Sequence, residues 1–265
     1  SLTGGQLVGD ANIIIRLDQL VPAGFSSNDN PECIGHLALE GELQHVPSRA
    51  TIQSIDAAIS ADVGKRSFET LGGITIDNHR SKFHVQLHNE NKNKLDGLDD
   101  LFKVIVREFP RGTGTIELEN LPTSLVQQYL PSDSIVASRD IGETVNINAA
   151  MGQTHADVQI TSEKLQGAGK VLLEGDVVSG FSDVVLSGTI GKELAQYITG
   201  VQFGSASTLA AQFKQIDLDG NSSFEVTFTI GNQKTLVQGS TTRTGSGSLN
   251  LHLAATGIDT KLIDA

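Results

Sequence analysis

His84 and His88 stand four residues apart, a spacing that on a helix would present both rings to one metal ion. Here Phe83, Val85 and Leu87 alternate with His84, Gln86 and His88, so the segment reads as extended. Residues four apart on a strand are separated by roughly 13 Å. Both rings cannot then reach one zinc at about 2 Å. Asp217-Leu218-Asp219-Gly220-Asn221 resembles the opening of a calcium loop. Ser222 and Phe228 stand where that loop needs glycine and glutamate, so an exposed hairpin turn is the better account. Gly64-Lys65-Arg66-Ser67 lacks the upstream glycine of a P-loop, and Arg66 replaces its Ser or Thr. The glycine pairs Gly112/Gly114 and Gly245/Gly247 lack the third glycine and the βαβ setting of a dinucleotide site. Cys33 near His36 is a weak nucleophile candidate, and no serine sits in a GxSxG elbow. Asp99-Asp100 and Glu117/Glu119 read as solubilising charge. The chain therefore reads as non-enzymatic, with no catalytic, cofactor-binding or metal-ligating residues assigned.

Composition narrows the remaining classes. The net charge of -12 argues against a nucleic-acid partner, which would require clustered Lys and Arg. With a single cysteine, Cys33, no intrachain disulfide can form. There is no apolar run near 18 residues. The chain begins at Ser1 without a signal peptide and reads as a piece cut from a longer protein. Glycine is frequent at 28 residues and proline scarce at 6, which suits many tight strand reversals.

The elements are mostly short alternating strands. Ala11 to Leu17 is a β-rich run, and Leu37, Leu39 and Leu43 share a face. Ile55, Ala57, Ile59, Ala61 and Val63 alternate strictly with polar or small residues. Gly72-Gly73, Gly152-Gln153 and Ser179-Gly180 read as turns, and Gly167 to Val178 as one long strand. Phe224, Val226, Phe228 and Ile230 alternate with Glu225, Thr227 and Thr229, and Gly231-Asn232 is a hairpin turn. Leu249, Leu251 and Leu253 share a face. The period changes to three and four at Leu95, Leu98, Phe102, Ile105 and Phe109, which predicts a helix over 95–109 ended by Pro110. Val104-Ile105-Val106 leaves a strand open as the alternative there. A strand followed by a short helical segment occurs twice, at 114–130 and at 188–198.

The expected fold is mainly β: a long meandering antiparallel curled sheet, groove- or sandwich-like, with one or two short helices. Its expected parts are an N-terminal β region (1–94), a helix plus central β region (95–200) and C-terminal β hairpins (201–265), in one continuous fold.

Residues 113–199 carry a family resemblance. The strand Gly114-Thr115-Ile116-Glu117-Leu118-Glu119-Asn120-Leu121-Pro122 leads into Thr123-Ser124-Leu125-Val126-Gln127-Gln128-Tyr129-Leu130. Val145-Asn146-Ile147-Asn148-Ala149, Ala156 to Ser162 and Gly169 to Gly175 follow. This stretch resembles the AsmA-like family of bacterial envelope proteins, relatives of TamB with repeating β-grooves. The resemblance implies a periplasmic β-sheet part of an inner-membrane-anchored parent, with membrane association through segments outside this chain. It implies a role in outer-membrane biogenesis and in moving phospholipid between membranes, with acyl chains as the partner.

On that reading the groove lining would be Phe83, Val85, Leu87, Val145, Ile147, Val158, Ile160, Phe224, Val226, Phe228, Leu249 and Leu251. The same residues more often form a dry core beneath a helix or second sheet. The alternative function is a structural or adhesive β-rich surface module of a secreted bacterial protein, with calcium at Asp217 to Asn221.

Overall fold

The computed structural model of the chain describes residues 7–19, 32–45, 50–62, 66–88, 112–127, 135–174, 177–199, 202, 204–217, 222–230, 233–243 and 249–256. The expected helix over 95–109 and the loop residues 218–221 lie outside them. The protein is mainly β. Its strands are β1 Leu7–Gln19, β2 Glu32–His45, β3 Ala50–Asp62, β4 Ser67–Ile76, β5 His79–His88, β6 Thr113–Pro122 and β7 Thr144–Met151. They continue as β8 His155–Ser162, β9 Leu165–Glu174, β10 Val177–Ile190, β11 Ser207–Asp217, β12 Ser222–Ile230, β13 Gln233–Arg243 and β14 Leu249–Thr256. Three short helices, α1 Ser124–Gln127, α2 Ala137–Asp140 and α3 Lys192–Thr199, complete the described elements. Strand order follows chain order from β1 to β14.

The chain divides into two compact units. The first comprises Ser1–Gln128 with Asn146–Gln153, the second Tyr129–Val145 with Thr154–Ala265.

In the first unit, β1 to β6 pair antiparallel in succession. Directly opposed residues of antiparallel strands lie on the same face, so the register sorts side chains into rows. Ile15, Leu37, Ala57, Gly72, Phe83 and Leu118 form one row, and Leu17, Gly35, Ile59, Thr70, Val85 and Ile116 the next. The opposite face carries Arg16, His36, Ala58, Leu71, His84 and Glu117 in a single row. Period-two alternation in the sequence thus becomes an apolar face and a polar face.

Gly72 and Gly73 do not form a turn. Both lie within β4, where Gly72 pairs with Ala57 and Phe83. A Cβ on Gly72 would stand 2.0 Å from the Asp56 carbonyl oxygen, so Gly72 answers to close strand approach, while the Arg80 guanidinium fills the space beside Gly73. The reversal comes at Asp77-Asn78, both with positive φ (50° and 67°), as a two-residue turn between Ile76 and its partner His79. Asp77 ties this turn to its neighbours. Its backbone N–H donates to the Thr51 carbonyl (2.9 Å), while its carboxylate accepts from the Thr51 N–H and the Ser124 hydroxyl, each at 2.8 Å.

In the second unit, β8 to β14 continue the antiparallel succession. The long strand expected over Gly167 to Val178 is two strands, β9 and β10, joined where Glu174 pairs with Val177. Ser179-Gly180 is likewise within β10, at a bulge where the register shifts between Val178 and Gly180. A second bulge between Ser182 and Val185 holds Asp183 at φ 53°. The core of this unit is Ile190, Ala195, Leu209 and Ala211, with Leu165, Leu186, Leu194 and Phe213 packed against it. Leu194 and Ala195 belong to α3, so this helix covers one end of the apolar face.

Candidate functional site

The apolar face of the first unit is incompletely covered. Leu39, Ala57 and Ala61 are buried, whereas Phe83, Val85 and Leu87 on β5 are only half-buried, as are their opposites Ile116 and Leu118. Toward β1 the face opens further: Ile13 is 61% exposed and Ile15 67%. Leu39 and the small residues of β3 are thus buried, while the large apolar side chains named on β5, β6 and β1 keep part of their surface exposed.

The remaining lining candidates fall as follows. Ile147 on β7, in the first unit, and Val145 on the same strand, in the second, are half-buried. Val158 is half-buried, and Ile160 is exposed at 41%. Their cross-strand partners are Gly169 and Gly167, over which Val184 and Leu186 lean from β10. Positions 224, 226 and 228 on β12 pair with Gly239, Val237 and Thr235 of β13, and positions 249 and 251 on β14 pair with Arg243 and Thr241. In the second unit, the row through Ile160 runs Gly167, Leu186, Ala211, Phe228 and Thr235, which joins two of the candidates by register.

The polar face of the first unit carries a side-chain network that sequence reading did not assemble. His84 Nε2 lies 2.8 Å from Glu69 Oε1, and His84 Nδ1 lies 3.6 Å from Glu117 Oε2. Gln86 Nε2 donates to the same Glu69 oxygen at 2.9 Å. The hydrogen bonds from Gln86 and then His84 hold the Glu69 carboxyl below its ordinary value. His36 Nε2 lies 2.6 Å from Asp56 Oδ1. These groups are a third or more exposed and face solvent, so they stitch strands together without forming an enclosed reaction site. At the ends of β3 to β6 a cavity of about 410 Å³ has mixed walls, including Asp62, Glu69, His88, Phe68 and Leu87. The extended β5 places His84 and His88 apart along the strand, with His88 opposite Ser67.

Among the described residues of the second unit, Asp140 at the end of α2 is a fully buried carboxylate. It accepts from the Val136 N–H at 2.9 Å and from Arg139 Nη2 at 2.8 Å. This pairing raises the Arg139 pKa, and Arg139 also reaches Glu193 of α3 at 3.3 Å. Gly191, between β10 and α3, leaves room for Asp140: a Cβ there would stand 1.7 Å from its Oδ1. Lys164 donates to the Arg139 carbonyl, and the Ser162 hydroxyl donates to the Ile141 carbonyl at 2.7 Å. These contacts tie α2 to α3 and to the residues where β8 leads into β9.

Among the described residues no group of three or more His, Cys, Asp or Glu is arranged to hold a metal ion. No described helix is long and apolar enough to cross a membrane. No protein-family model, curated protein or solved structure matches the chain.

Proposed function

We propose that this chain is a non-enzymatic segment of an AsmA-like bacterial envelope protein, whose apolar sheet face guides phospholipid acyl chains between membranes on the periplasmic side. The observation that carries this reading is the row structure of the first unit. Rows of apolar and small residues cross six strands, and of their large side chains Ile15, Leu37, Phe83 and Leu118 stay half-buried or exposed, while Leu39 beside Ile13 is buried. An acyl chain laid across such rows gains about 0.8 kcal/mol for each methylene it buries, and it requires no polar partner along its length. Headgroups would remain in water. The polar residues of the opposite face keep the other side of the sheet solvated.

Native mass spectrometry of the chain purified from bacteria, with lipid extraction in parallel, tests the reading. The expected result is co-purifying phospholipid released only on denaturation, and less of it when Phe83→Glu places a charge mid-row. A clean apo mass would overturn the proposal and leave a packed structural module.

A further inference from the structure

We draw no further inference here: the strongest candidate, the cavity of about 410 Å³ on the polar face at the ends of β3 to β6, adjoins residues 63–65 and 89–111, which lie outside the described residues, so nothing in the structure shows what covers it.

Discussion

His84 is held between two carboxylates, Glu69 on one ring nitrogen and Glu117 on the other. The three side chains come from β5, β4 and β6, so the imidazole spans adjacent hairpins. Side-chain exposures of 35%, 43% and 52% keep each pair in high dielectric, where it contributes a fraction of a kcal/mol to roughly 1 kcal/mol. Glu69 shows the sign of its effect. Its folded carboxyl sits below the ordinary value of 4.5, because Gln86 and then His84 hydrogen-bond its charged form. Its contribution to stability is therefore present above the unfolded value and is lost as pH falls through the folded one. Gln86→Ala removes the largest cause, so the Glu69 titration should move up toward 4.5 in a carboxyl-carbon NMR titration. The difference in stability between the two proteins should be small at neutral pH and vanish once Glu69 is protonated in both states. An unmoved Glu69 titration would mean that the Gln86 bond does not hold in solution.

At the scale of elements, α2 and α3 are fixed by one buried carboxylate and one glycine. Asp140→Ala would leave the Val136 N–H without its acceptor, uncouple Arg139, and open a polar void beside Gly191. The expected cost is about 2–4 kcal/mol in urea unfolding. Gly191→Ala should cost a similar amount, because its Cβ and Asp140 Oδ1 would claim the same space. Combining the two changes should cost less than their sum, since each removes the same packing. This lock illustrates what was legible beforehand and what was not. α3 was visible as a short segment after a strand, because Leu194 and Ile198 recur at four and Glu193 lies in its first turn. α2 is a single turn, too short for any periodicity to register. Asp140 reads as one more acidic residue until folding brings Gly191 against it. The strands themselves were legible wherever one face is apolar, as in β3, β5 and β12. Turns were harder. Gly72-Gly73 and Asp77-Asn78 both carry turn chemistry, and choosing the first would pair Glu69 with Ile76 in place of Gln86. The network around His84 was therefore hidden behind a misplaced reversal, five residues away. Of the groove candidates, alternation could place Phe83, Val85 and Leu87 on one face. It could not tell a half-open face from a covered one, because that depends on what packs above the sheet.

For the molecule as a whole, strand order equal to chain order makes each strand depend on its sequence neighbours. Stability in such an arrangement is close to a sum of local strand terms and neighbour interfaces. Ala57, 4% exposed on β3, offers a test. Ala57→Asp places an unpaired carboxylate among Leu37 and Gly72 and should cost about 3 kcal/mol. Hydrogen exchange followed by mass spectrometry should show lost protection in β2 to β4 and unchanged protection in β9 to β11. Uniform loss across both units would show a fold that opens all at once.

The Asp77-Asn78 hairpin joins neighbours in chain and in space alike, and most other reversals in this meander do the same. Among the described strands, a duplication that inserts one more hairpin between two neighbours therefore leaves the strand order intact. It widens the sheet by two strands, about 9–10 Å, and keeps each apolar row on the same face. Gene length then translates directly into the number of strands. Selection can adjust that number in steps of one hairpin, without a new fold having to arise at any step.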